Sequence, residues 1–137
     1  DPADVERLLS FGFADRCLRV LVEIDEEKDG SRGAALAEEV DAALDRAGID
    51  APRLHHAGGA ATWQVIERGL ERGHDVRVGL EDTLTRPDGS PAHDNADLVR
   101  AAVGIAERLG RTVEPAVLSL RRSLPSWSNG SSSTPPA

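Results

Sequence analysis

The chain has 137 residues, with 16 Lys and Arg against 24 Asp and Glu, and the resulting net charge of −8 argues against a basic nucleic-acid module. Hydrophobic residues make up 39% and charged residues 29%, a globular balance, and no apolar run approaches the roughly 20 residues that span a bilayer. One cysteine, Cys17, excludes an internal disulfide and stands in no metal-type Cys/His spacing, so a reducing cytoplasm is the expected setting.

Ala3 to Ser10 puts Val5, Leu8 and Leu9 on one helical face, with Gly12 where the helix would stop. Cys17 to Ile24 is aliphatic, β-branched and short, which predicts a strand, and the charged, Gly-bearing stretch from Asp25 to Gly33 predicts a loop. From Ala34 to Ala47, Leu36, Val40, Ala43, Leu44 and Ala47 recur at helical spacing up to Gly48. Pro52 to Ala57 predicts a second strand, Gly58-Gly59 a turn, and Trp63, Ile66 and Leu70 the stripe of a helix ending at Gly73. Val76 to Leu80 alternates as a third strand. A loop follows from Asp82 to Asp94, turning at Pro87-Asp88-Gly89, and then a helix from Asn95 to Leu109 closed by Gly110. Val117 to Leu124 predicts one more helical stretch ended by Pro125, and Ser126 to Ala137 has the composition of a disordered tail. Three strand-helix units at near-equal spacing predict a parallel sheet in an α/β fold. The expected organisation is an α/β segment over 1–111, a terminal helix over 112–125 and a tail over 126–137.

Period-two alternation sends Val76, Val78 and Leu80 one way and Arg77, Gly79 and Glu81 the other. In the first strand, Leu18, Val20, Val22 and Ile24 oppose Arg19, Leu21 and Glu23, and the second sets Arg53 and His55 against Leu54 and His56. A doubly wound sheet is apolar on both faces, so one charged face fits a (β/α)8 barrel better, with polar groups near the C-terminal strand ends.

Charges at strand ends are ordinarily solvated or ion-paired, which is the plain reading of Arg19 and Glu23. Arg77, Glu81 and Asp82 carry more information. They converge on one strand end beside Gly79, whose missing side chain lets another group approach. Two carboxylates with a guanidinium can divide roles, one binding a cation and one acting as a base tuned by the arginine. His55 and His56, being adjacent, point to opposite faces, so at most one faces such a site, and a hydrogen-bonded packing role is as natural for either. Gly58-Gly59 before a helix is a candidate anion seat, a signal carried by only two glycines. Cys17 at a strand start reads as a packed residue, His74 and His93 as loop residues, and Trp63 as helix packing.

The string Gly73-His74-Asp75-Val76-Arg77-Val78-Gly79-Leu80-Glu81-Asp82, followed by Asn95-Ala96-Asp97-Leu98-Val99, resembles the β-keto acid cleavage enzymes, the family of 3-keto-5-aminohexanoate cleavage. Arg19-Val20-Leu21-Val22-Glu23 and Ala60-Ala61-Thr62-Trp63 also look like members of that family. The likeness covers roughly residues 3–110 and fades in the tail. It implies a zinc-dependent (β/α)8 barrel that exchanges acyl groups between a β-keto acid and acetyl-CoA, giving acetoacetate and a new acyl-CoA. It further implies that Glu81 is a zinc ligand, Asp82 the catalytic acid/base and Arg77 its assistant. A homo-oligomer is implied for the full-length form, with no nucleic-acid or membrane partner. Glu23, His56, Gly58 and Gly59 are weaker candidates for substrate contacts.

The family's other zinc ligands are a His-x-His pair on an early strand, and this sequence contains no His-x-His. The three strands then correspond to the last three of eight. The absence of methionine and the start at Asp1-Pro2 fit a chain without the earlier strands, which is expected to be inactive alone and to bind zinc weakly. Two other readings remain open: a non-catalytic remnant or interaction module that pairs through its open sheet edge, and another metal-dependent aldolase-type barrel sharing only the architecture.

Overall fold

The computed structural model describes residues 1–12, 14–25 and 29–114. The predicted stretches Val117 to Leu124 and Ser126 to Ala137 lie outside them. The elements follow the expected alternation: α1 (Ala3–Ser10), β1 (Val20–Ile24), α2 (Gly30–Arg46), β2 (Arg53–Ala57), α3 (Thr62–Glu71), β3 (Asp75–Val76) and α4 (Asn95–Arg108). The strands form one parallel sheet in the order β1-β2-β3. The fold is α/β, and a small parallel sheet with its helices is compatible with part of a barrel.

Local chemistry sets the boundaries. β1 begins at Val20, three residues later than the aliphatic run, because the Val20 N–H makes the first ladder bond, to the Pro52 carbonyl at 2.8 Å. Leu18 is therefore outside the strand and exposed, and Cys17 is half-buried. α2 starts a turn before its apolar stripe because the Asp29 carboxylate accepts from the N–H groups of Ser31 and Arg32, filling two donors that a helix start leaves open. Asp94 caps α4 in the same way through the Asp97 N–H, at 2.8 Å. Gly48 ends its helix with a φ of +69°, a region where a side chain is strained.

β3 is shorter than the alternation predicts. Arg77 still donates to the His55 carbonyl, but the Gly79 carbonyl then accepts from the N–H groups of Asp82 and Thr83, so the chain turns out of the sheet. Leu80 is exposed in that turn rather than aligned with Val76 and Val78.

Apolar packing lies on one side of the sheet. Val22 and Ile24 are 2% and 1% exposed against α1 and α2, around Val5, Ala37 and Leu44. Ile66 and Leu70 of α3 meet Ala102, Ile105 and Ala106 of α4, with Trp63, Val76 and Val78 packed alongside. The opposite face is open at β1, where Leu21 is 46% exposed. No described helix is long and apolar enough to cross a membrane.

Candidate functional site

Glu23 on β1 and His56 on β2 are paired in register on the open face of the sheet. Arg77 follows β3 on the same rim, and the turn after it delivers Glu81 and Asp82. This turn is built from the inside. Asp82 Oδ2 accepts from the Gly79 N–H at 3.0 Å, the Asp82 carbonyl accepts from the Gly59 N–H at 2.8 Å, and Asn95 at the start of α4 accepts from the Leu80 N–H at 2.8 Å. The Asp82 carboxylate is consequently well buried although it sits in a loop. Glu81 folds back so that its carboxylate lies where a side chain at residue 79 would be, which is the close approach a glycine there permits. An open groove of about 480 Å³ borders the turn, walled by Gly59, Ala60, Glu81, Asp82 and Thr85. The Trp63 indole N–H donates to the Thr85 carbonyl, tying α3 to that wall in addition to packing its ring.

Charge is ordered along the rim. Arg77 Nη2 stands 2.6 Å from Glu81 Oε1 and 3.8 Å from Asp82 Oδ1. The Glu81 carboxyl is held below the ordinary carboxylate range, first by its own backbone N–H and then by Arg77. Arg77 is pushed above its ordinary value by the same hydrogen bond and by the Asp82 charge. His56 is 3% exposed, with Nδ1 3.4 Å from Asp82 Oδ1 and Nε2 3.5 Å from Glu23 Oε1. Both of its nitrogens lie in ion-pair range without a formed hydrogen bond. A fixed cation, a buried carboxylate and a buried imidazole in one row can bind an anion, hold a proton and orient a base.

Thus Arg77, Glu81, Asp82, His56 and Glu23 come together on one rim, with Gly58 and Gly59 at its edge. The anion-seat expectation for the two glycines needs correction. The Gly58 N–H donates to the Ile24 carbonyl and the Gly59 N–H to Asp82, so neither is free for a ligand. Gly59 instead supplies a tight turn, with a φ of +63°.

A second polar cluster sits on the opposite, helix-packed face. Asp41 of α2 is fully buried and receives Arg53 Nη1 at 3.2 Å, His55 Nε2 at 3.1 Å, Arg72 Nε at 3.2 Å and His74 Nε2 at 3.3 Å. His55 and His56 do face opposite ways, as adjacent strand residues must. Asp41 did not enter the sequence reading, yet it had a signal: it lies at i+4 from Ala37 and i−3 from Leu44, an acid on the buried stripe of its helix. Burial opposes its charge, but the hydrogen bond from His55 and the charges of His55, His74 and Arg53 outweigh it and lower the Asp41 pKa.

By spacing, Asp41, His55 and His74 could take a metal ion, since their ligand atoms lie within 4.8 Å of one another. The donor set fits an ionic clasp better. Arg53 and Arg72 claim the two Asp41 oxygens, and the imidazoles stack at 4.8 Å and 14°, which runs their in-plane lone pairs side by side instead of converging them on a tetrahedral centre. On the open face, no group of three metal-ligating atoms comes together among the described residues.

Residues 33–119, more than half of the chain, match the family model described as beta-keto acid cleavage enzyme. No curated protein matches the chain.

Proposed function

The chain belongs to the beta-keto acid cleavage enzyme family, and from that premise we propose that its Arg77-Asp82 rim is the family's reaction site, acting on a β-keto acid with acetyl-CoA as acyl donor to give acetoacetate and an acyl-CoA. The observation that carries this reading is the meeting of Arg77, Glu81, Asp82 and His56 at the C-terminal end of a parallel sheet, where barrel enzymes build their sites. In this reading the three strand-helix units are part of a (β/α)8 barrel, and residues 1–111 are its segment.

A β-keto acid arrives as an anion, and Arg77 is the exposed cation that meets it. Asp82 takes the α-carbon proton, and the enolate so formed, whose oxygen a preset guanidinium stabilises, attacks the acetyl carbonyl of acetyl-CoA and expels the CoA thiolate. The thiolate then adds to the original β-carbonyl, the bond between the α and β carbons breaks with its electrons leaving on the enolate of acetoacetate, and the acyl group stays on CoA. Asp82 is the group to hold or return the proton at the α carbon. It is buried at the edge of the groove, its Oδ2 held by the Gly79 N–H and its Oδ1 3.4 Å from His56 Nδ1. Glu23 lies 3.5 Å from the far nitrogen of His56, in ion-pair range.

The family resemblance also implies zinc, with Glu81 as a ligand. A catalytic zinc needs three protein ligands, and on this rim Glu81 is engaged by Arg77 and no group of three ligating atoms gathers around it among the described residues. The described residues therefore do not fit a complete zinc centre. What the chain itself contributes is the cation, the base and the orienting histidine.

Adding a short β-keto acid to the labelled chain is expected to perturb the NMR signals of Arg77, Gly79 and Asp82, and to do so far less in Arg77→Ala. Binding that is unchanged in Arg77→Ala overturns the assignment. Acetoacetate formation with acetyl-CoA is expected to stay at background for the chain alone; turnover would show that no further ligands are required.

A further inference from the structure

Asp82 stands between Arg77 and the groove beside the turn: its carboxylate is 3.8 Å from the guanidinium, and it also forms part of the groove wall. That order matches the order of groups in a β-keto acid. With the substrate carboxylate on Arg77 and the α carbon at Asp82, the chain beyond the β carbonyl runs into the groove of about 480 Å³. The two walls are the turn after β2 and the turn after β3, adjacent units of this chain, and they are tied to each other. The Gly59 N–H donates to the Asp82 carbonyl at 2.8 Å, and the Trp63 indole N–H to the Thr85 carbonyl at 2.8 Å. The groove is therefore fixed by contacts between neighbouring units, on the side of β3 that meets β2.

Its walls offer little to a charge. Thr83 and Thr85 turn their hydroxyls on each other at 3.3 Å, Thr83 Oγ1 also accepts from the Thr85 N–H at 3.3 Å, and Trp63 takes the Thr85 carbonyl. What remains is Ala60, exposed in its turn, with Leu80 and Leu84, which are 37% and 68% exposed. No Lys or Arg lines the groove among the described residues, and the charges at its inner end are the carboxylates of Glu81 and Asp82. An anionic chain end would lose water there without gaining a donor, and would meet like charge. An uncharged carbon chain gains from the same apolar surface.

We infer that this groove selects the β substituent of the substrate, that the substrate class is β-keto acids bearing a short uncharged aliphatic chain, and that Ala60 and Leu84 are its specificity-determining residues. The inference rests on the assignment of the rim as the reaction site.

Two NMR signals separate the one from the other. The Arg77 Nε–H reports capture of the carboxylate, and the Trp63 indole N–H, bonded to the groove wall, reports occupation of the groove. In a Trp127→Phe background, where Trp63 is the one tryptophan left, the chain is titrated with fresh 3-oxobutanoate, 3-oxopentanoate and 3-oxohexanoate. Both signals are expected to move, with affinity rising about two- to fourfold per added methylene, the gain from burying a CH2 in part or in full. Ala60→Phe fills the groove and Leu84→Asp puts a charge in it. Each is expected to remove the chain-length gain and to silence Trp63, whereas Val99→Ala on α4 keeps both, and the two wall variants stand on different loops, so one carries the test if the other fails to fold. A 3-oxo dicarboxylic acid is expected to bind less tightly than the neutral-chain acid of the same length. An Arg77 response of equal affinity to all three acids, with no shift at Trp63, overturns the inference and leaves the rim assignment standing. Tighter binding of an acid whose chain ends in a carboxylate or an ammonium group overturns it as well. Silence of both signals overturns the rim assignment and the inference with it.

Discussion

Gly79 decides how Glu81 is used. With hydrogen at that position the Glu81 carboxylate can lie against the turn and bond Arg77; a β-carbon there would occupy the place of the carboxylate itself. The obstructed atoms are the far end of a flexible exposed side chain, so Gly79→Ala is expected to leave stability within about 0.5 kcal/mol, the scale of a surface change. The Glu81 side chain must then swing away from its own N–H and from Arg77, the two groups that depress its pKa. Its titration, followed by side-chain carboxyl NMR, is expected to rise toward the ordinary glutamate range. A Glu81 titration unchanged in Gly79→Ala would show that the fold-back does not set the charge. Asp82 is held by different contacts, the Gly79 N–H and the neighbourhood of His56, and Asp82→Asn is expected to retain the turn while removing the base. In any assembly that shows acetoacetate formation, that variant should lose at least about a hundredfold, the lower range for a general base.

At the scale of elements, α2 shows where periodic reading succeeds and stops. The stripe of Ala37, Leu44 and their neighbours is legible at 3.6-residue spacing, but the first turn is polar and small, and only the capping acid announces it. Asp29→Ala is expected to cost about 1 kcal/mol, measured as a lower urea midpoint, because two N–H groups lose their acceptor. An unchanged midpoint would mean that the first turn contributes nothing to packing. β1 was legible from its aliphatic run, although its start was not, since that start depends on where Pro52 stands across the ladder. β3 was over-read for a related reason. Alternation extends to Leu80, but a strand ends where its partner and its turn dictate, and Gly79 accepts from Asp82 and Thr83 before Leu80 can pair. The rim residues Arg77, Glu81 and Asp82 were found because they are close in sequence. Asp41 with His55 and His74 was not, because an ionic cluster assembled from a helix, a strand and a loop leaves no local spacing to read.

For the molecule as a whole, the Asp41 clasp lies between two apolar clusters. One gathers around β1 and α2 and the other between α3 and α4, and Asp41 joins α2 to β2 through Arg53 and His55, to the end of α3 through Arg72, and to the approach to β3 through His74. Removing the acid strands the buried Arg53 guanidinium and leaves the His55 Nε2 without its partner, so Asp41→Ala is expected to lose about 3 kcal/mol. The clasp also gives stability a pH dependence of definite sign. Burial lowers the His74 pKa, so between that value and the ordinary imidazole value of about 6.5 the unfolded chain binds a proton that the folded chain does not. Stability therefore falls as pH drops below about 6.5. Asp41 acts the same way at lower pH: its folded pKa is depressed, so its contribution is complete above the unfolded value of about 3.9 and is lost as pH falls through the folded one. Urea midpoints measured from pH 8 to pH 3 are expected to decline in two stages. His74→Gln should flatten the first and Asp41→Asn the second. A midpoint that rises on acidification from pH 7 to pH 5 would mean that His74 gains more from the Asp41 charge than it loses by burial, and that the clasp is tightened by protons.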